Sequence, residues 1–226
     1  MKKFAFTLAE ILITLGIIGV VAAMTLPVLI ENHQKKVIAS KLAKFYSIMS
    51  QATYSWAEDE GISQGATYIF PENATRNGEG LEAWYNDNLG KYIKSINQNS
   101  TPTGFFVALA DGSGFNAYVN YDIMFLFYCV DVKYCNIKAD TSEGGGFDGR
   151  HTFLFQFTDG KFYTSMKGYE NKTRNQILDY CKYGNVDNPE ISSIGRRHAC
   201  TRLIQIDGWQ ISKDYPWQQI KLEENK

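Results

Sequence analysis

Apolar and polar residues are distributed unevenly along the chain. Behind Lys2 and Lys3, the stretch from Ile11 to Ile30 contains no charge. As a helix rising ~1.5 Å per residue it spans roughly 30 Å, the thickness of a bilayer core. From Val37 onward the pattern changes. Ile38, Leu42, Phe45, Met49, Ala52 and Trp56 recur at spacings of four and three. That periodicity is one face of an amphipathic helix. Lys35, Lys36, Ser40, Lys41 and Lys44 fall largely off that face. No glycine occurs between Val20 and Glu60, and Pro27 is the only proline there. The pattern predicts one long helix from Phe6 to Asp59, ended by Gly61. Pro27 removes a backbone donor and crowds the preceding turn, so it is expected to kink or loosen the helix. Gly16 and Gly19 weaken the same stretch.

Shorter elements follow. Leu81, Trp84, Leu89, Tyr92, Ile93 and Ile96 predict a second helix from Gly80 to Ile96. The cluster "STPTG" breaks the pattern at Ser100–Gly104. "FFVALA", "DGSG" and "FNAYVN" read as a hairpin, and "IMFLFYCVDV" as a central strand. "HTFLFQF", "TDG" and "KFYTS" read as another hairpin. Two short helices are expected at Thr173–Lys182 and Arg197–Ile206. The ending "DGWQISKDYPW" reads as a turn, a short strand and an ordered aromatic close.

Composition adds constraints. The net charge of -1 offers no basic field for nucleic acid. Aromatic residues make up 14% of the chain, which suits half-buried pleated surfaces. The cysteines, Cys129, Cys135, Cys181 and Cys200, form no CxxC pair, and His33, His151 and His198 are scattered. This argues against a zinc site. An even count behind an export signal favours disulfides. Four cysteines allow three pairings. The sequence-local one is Cys129–Cys135 with Cys181–Cys200, and buried free thiols are the alternative. No Ser-His-Asp order, Cys-His order or carboxylate pair stands out, so the chain reads as non-enzymatic. "GRRHACTR" (Gly195–Arg202) is a basic cluster, read as a solvated or salt-bridged face.

Three readings of the N-terminus compete. One is a secretory signal cut after Ala23 in "VAAM". Another is a plain single-pass anchor. Neither accounts for Glu10, a carboxylate at the mouth of a lipid-length run, where such a group needs a partner. The third rests on a resemblance. "FTLAEILITLGIIGVVAAMTLP" is similar to the leader and first helix of type IV pilins and the related pseudopilins of type II secretion. The resemblance covers about the first tenth to eighth of the chain, and the family has Gly before the cut where this chain has Ala5.

The resemblance implies a leader, residues 1–5, cut between Ala5 and Phe6 by a prepilin peptidase. Phe6 would then be N-methylated. Glu10 would pair with the new amine of a neighbouring or the same subunit, a strong attraction in low dielectric. Gly16, Gly19 and Pro27 would mark the loosened helix segment. Residues 6–30 would cross the membrane and then pack into a filament core, and residues 31–226 would carry the amphipathic helix and a globular domain. The implied fold is α+β: a long N-terminal helix on an antiparallel sheet, with a disulfide-pinned C-terminal region. The implied function is a structural subunit, a minor pilin or pseudopilin. Its partners would be other pilin subunits, the peptidase and the inner-membrane assembly platform. The precursor would sit in the bacterial inner membrane with its N-terminus cytoplasmic, and the filament in the periplasm or at the cell surface. No cofactor is expected. Asp140, Glu143 and Asp148 lie in the glycine-rich "DTSEGGGFDG" and are calcium candidates, since some pseudopilins bind calcium. A solvated loop is the alternative there. The competing function is a membrane-anchored extracytoplasmic binding domain that does not polymerise.

Overall fold

The computed structural model describes residues 7–63, 66–120, 122–135, 148–183 and 198–217. The chain divides into two units, Met1–Val37 and Ile38–Lys226. Helix α1 (Leu8–Asp59) continues through both and carries Pro27 without ending. In the second unit the fold is α+β. Helix α2 (Gly78–Asn88) precedes six strands: β1 (Ser95–Ser100), β2 (Gly104–Leu109), β3 (Gly114–Asn120), β4 (Ile123–Cys129), β5 (Thr152–Thr158) and β6 (Lys161–Tyr163). Helices α3 (Arg174–Tyr183) and α4 (Cys200–Ile206) follow. The strands form one antiparallel sheet in sequence order.

The apolar stripe of α1 is the organising feature. Ile38, Leu42, Phe45, Met49, Ala52 and Trp56 are all buried. Phe45 lies 4.4 Å from the Tyr128 ring, 5.0 Å from Phe155 and 5.5 Å from Phe115. About three turns later Trp56 meets Tyr68, Trp84 and Phe157 at 4.8, 5.5 and 5.7 Å. Its Nε1 donates to Asn88 Oδ1 at 2.9 Å. The strands answer with their period of two. Phe115, Ala117 and Val119 on β3, Met124, Leu126 and Tyr128 on β4, and Phe153, Phe155 and Phe157 on β5 join the same core as α1. The alternate residues are also covered. Phe106, Ala108, Cys129 and Cys135 form one small cluster, and Tyr118, Phe127 and Leu154 another.

Turn chemistry sets the β5–β6 register. Thr158 pairs with Lys161, leaving Asp159 and Gly160 as a two-residue loop. Both have positive φ, 51° and 65°. A right-twisted hairpin closed by two residues needs that conformation, and Asp-Gly supplies it cheaply.

Two expected elements differ. The second helix ends at Asn88, and Ile96 sits on β1, an edge strand whose residues "SINQNS" hydrogen-bond to β2. The apolar spacing continued past the helix because Leu89 and Ile93 are buried in the connection. The polar edge strand carries no alternation to betray it, and its pairing with β2 decides its form. In the ending, residues 207–217 form no strand. Asp207, Ser212 and Asp214 bond to the Arg174 guanidinium instead, while Tyr215 and Trp217 are buried as the aromatic close implies.

Candidate functional site

The start of α1 explains Glu10 locally. Glu10 Oε2 accepts from the Thr7 N–H and from the Thr7 hydroxyl, both at 2.8 Å. In return the Glu10 N–H donates to Thr7 Oγ1 at 3.3 Å. This reciprocal pair is a capping box, which satisfies amide donors that a helix start leaves free. The signal was present in the sequence as T-x-x-E, within "TLAE", immediately before an apolar run. Helix α3 begins the same way: Gln176 Oε1 accepts from Thr173 N at 2.9 Å, and Gln176 N donates back to Thr173 Oγ1 at 3.3 Å. Ala5 and Phe6 lie outside the described residues.

Behind the cap, the apolar run is unpacked within the chain. Leu8 is 76% exposed and Leu29 66%, and no residue from Thr7 to Ile30 is buried. A side chain added at Gly16 or Gly19 would meet nothing within 4 Å. An apolar surface this long and continuous is not stable against water and calls for lipid or protein. Among the described residues α1 is the one helix long and apolar enough to cross a membrane. Polar residues resume at Glu31, which pairs with Lys35 at 2.5 Å.

The C-terminal region is pinned at several points. The disulfides are Cys129–Cys135 and Cys181–Cys200, the sequence-local pairing. Cys200 is therefore no thiolate, and the adjacent His198 is buried with Nε2 2.7 Å from the Tyr169 hydroxyl. Gly149 shows why no side chain fits beside the second disulfide. Its φ is +68°, and a Cβ there would lie 2.9 Å from Cys200 Sγ and 3.1 Å from Tyr215 Oη. The Tyr215 hydroxyl donates to the Gly149 carbonyl. Arg174 clamps the ending, with Nε and Nη2 on Asp207 at 2.5 and 2.7 Å and Nη1 and Nη2 on Asp214 at 2.8 and 2.9 Å. These bonds hold both carboxyls below the usual range. Of "GRRHACTR", Gly195, Arg196 and Arg197 lie outside the described residues, while His198, Ala199, Cys200 and Thr201 are buried.

Of the calcium candidates, Asp140 and Glu143 lie outside the described residues. Asp148 is turned inward. Its Oδ1 accepts from the N–H groups of Arg150, His151 and Thr152 at 2.8, 2.6 and 2.9 Å, and its Oδ2 lies 2.7 Å from His151 Nδ1. Donors meet both oxygens, so this carboxylate organises the loop. Burial pushes this carboxyl's pKa up, but the hydrogen bonds from His151, Thr152 and Arg150 outweigh it and hold it at about 2. A depressed folded-state pKa contributes stability that is present above the ordinary carboxylate value and lost as pH falls through about 2. Asp148→Asn is expected to cost roughly 2 kcal/mol at neutral pH. It should also flatten the loss of stability between about pH 4 and pH 2. Urea midpoints measured across that window check both, and an unchanged acid slope would refute the assignment.

Comparison with known proteins places the domain but not its role. No curated protein and no solved structure matches the chain. Residues 28–219 match a family described as a family of unknown function, DUF6613. The match begins one residue after Pro27, takes in all described residues of the α+β unit, and leaves out the capped apolar start of α1. Well over half of the sequence lies within that match, and the chain belongs to the DUF6613 family.

Proposed function

We propose that this protein is a structural subunit of a type IV pilus or type II secretion filament, a minor pilin or pseudopilin. It would be cut between Ala5 and Phe6 and assembled through its N-terminal helix. The observation that carries the reading is the exposed apolar segment of α1 headed by a single carboxylate, Glu10. Such a segment suits storage in lipid and transfer into a bundle of its own kind, head to tail, which yields an open polymer. A cut before Phe6 would place the new amine one residue from the Thr7–Glu10 cap. In a low-dielectric core that amine and a carboxylate favour one another strongly.

The capping box favours a second reading, a membrane-anchored extracytoplasmic domain that does not polymerise. There Glu10 needs no partner beyond Thr7. Two substitutions separate the readings. Glu10→Gln keeps an acceptor for the Thr7 N–H but removes the charge, whereas Glu10→Ala removes both. For a filament subunit both variants are expected to be processed and both excluded from filaments. For an anchored domain Glu10→Gln behaves as wild type, and Glu10→Ala loses only a cap of about 1 kcal/mol. The mature N-terminus, read by mass spectrometry, gives the companion test. Methylated Phe6 supports the filament reading, intact Met1 the plain anchor, and Met24 a secreted protein that contradicts both.

A further inference from the structure

We propose that the cavity between α1, the α2–β1 connection and the β2–β3 turn binds a compact lipophilic carboxylate, its apolar body inside and its head group at Lys94. The cavity holds about 310 Å³. It lies wholly within the globular unit and rests on no part of the filament reading.

The walls are apolar. Phe45 and Ile48 come from α1, Tyr92 and Ile93 from the connection, and Leu109 and Ala110 from the end of β2 and the turn after it. The polar lining residues are Lys44, Lys94, Asp111 and Ser113. Three of these four bond to one another. Asp111 Oδ1 accepts from the Ser113 N–H at 3.1 Å and from the Ser113 hydroxyl, and its Oδ2 pairs with Lys44 Nζ at 3.1 Å. The Tyr92 hydroxyl donates to Asp59. A well-held water needs about two to four polar partners, so an apolar body displaces water from such walls at little cost.

Both loops that wall the cavity are tied to α1. On one side Lys41 Nζ donates to the carbonyls of Asp111 and Val130 at 3.2 and 2.7 Å, beside the Lys44–Asp111 pair. The turn itself is closed by the Leu109 N–H on the Ser113 carbonyl at 2.8 Å and the Gly112 N–H on the Leu109 carbonyl at 3.1 Å. On the other side Lys91 Nζ lies 3.3 Å from Asp59 Oδ2, the oxygen that also takes the Tyr92 hydroxyl. Collapse of the cavity would break these bonds, so the site is formed before any ligand arrives.

Volume and charge narrow the ligand. Ligand pockets begin at roughly 300 Å³, and an apolar cavity of about 150 Å³ takes one benzene. A single ring with a short head group fits here, and a fused polycyclic body does not. Burial pushes the Asp111 carboxyl up, but the bonds from Ser113 and Lys44 outweigh it and hold it below its usual value. That carboxylate therefore stays charged and matched to Lys44. Lys94 lines the same cavity at an exposed position and forms no hydrogen bond or ion pair with any described residue. The lining thus carries two cationic side chains against one carboxylate, and Lys41 adds a third cation behind the turn. An anionic head group meets complementary charge there, and an ammonium meets an excess of its own sign.

The test uses the full-length, disulfide-intact chain in lipid nanodiscs, because detergent tails would compete for an apolar cavity. Isoleucine and leucine methyl groups are labelled with ¹³C. Three probes share one ring: cyclohexanecarboxylate, cyclohexanecarboxamide and cyclohexylmethylammonium, with free concentrations measured against empty nanodiscs. The carboxylate is expected to shift the Ile48, Ile93 and Leu109 methyl resonances saturably, with a Kd on the order of 1 mM. Ile177 and Ile204, buried on α3 and α4, should not move. The amide is expected to bind about fivefold more weakly, and the ammonium more weakly still. Cholate, a fused polycyclic acid, should not enter. Lys94→Gln, at an exposed position, should bring the carboxylate down to the affinity of the amide. Absence of a saturable shift at the lining methyls overturns the proposal. So does the amide or the ammonium binding as tightly as the acid, cholate saturating the same methyls, or an undiminished preference for the acid in the Lys94→Gln chain. Lining resonances that move with protein concentration before any acid is added would place a second copy in the cavity and overturn it as well.

Discussion

Phe45→Ala is expected to destabilise the globular unit by about 3–5 kcal/mol, the range for emptying a large buried aromatic site. The residue is 2% exposed and sits at the middle of the α1 stripe. Its ring touches β3, β4, β5 and β6 through Phe115, Tyr128, Phe155 and Phe162. Phe115, Tyr128 and Phe155 lie on strands flanked on both sides, and Phe162 on the edge strand β6 packs against Tyr46 and Phe155, so these rings have little freedom to collapse into the void. The pairs add to the area term, since ring pairs at these distances are worth about 0.5–1.5 kcal/mol beyond burial. All four tryptophans, Trp56, Trp84, Trp209 and Trp217, lie in this unit. Urea unfolding followed by their fluorescence therefore reports on it and not on the apolar start of α1. Phe45→Leu should lose less than half as much. A loss under about 1 kcal/mol for the alanine variant would mean that α1 is not the structural spine of the domain.

Replacing Cys181 and Cys200 together by serine should cost about 3 kcal/mol or more. The bond closes a separation of 19 residues, against 6 for Cys129–Cys135. On chain-entropy grounds the longer loop is worth about 3 kcal/mol and the shorter about 2. Context widens the gap. Cys181 and Cys200 are both fully buried, and Gly149 packs directly against Cys200 Sγ. Serine there would bury two hydroxyls where the sulfurs now close the core between α3 and α4. The Cys129–Cys135 pair belongs to a small cluster with Phe106 and Ala108, so its loss should be felt less. Urea midpoints of the two double variants rank the effects. Equal or reversed losses would contradict this account.

Much of the architecture was legible because its signals are periodic and local. The α1 stripe repeats every three to four residues, and the apolar positions from Ile38 to Trp56 are the ones that the fold buries. Strands β2 to β5 announced themselves by aromatic and β-branched runs, and the Asp159–Gly160 turn by its dipeptide. Strand β1 was illegible for the converse reason: a polar edge strand draws its form from hydrogen bonds to β2 that no local pattern encodes. Glu10 is an anomaly in an apolar run when taken alone, and the four-residue T-x-x-E signature supplies Thr7 as its partner.

The amino-acid order alone determines the long helix, its exposed apolar start and the face that docks on the sheet, because each depends on spacing within a few turns. The tertiary structure decides which polar groups spend their hydrogen bonds on the fold and which keep them free. Asp148 looked available to a cation, and three backbone donors and a histidine now surround it. Arg174 and Arg202 are the same residue type in the same region, yet one is clamped by two aspartates and the other donates to the Gln205 side chain and the Glu170 backbone carbonyl. Those outcomes depend on partners separated by tens of residues in the chain, and only folding brings such groups within the ~3 Å at which a hydrogen bond forms.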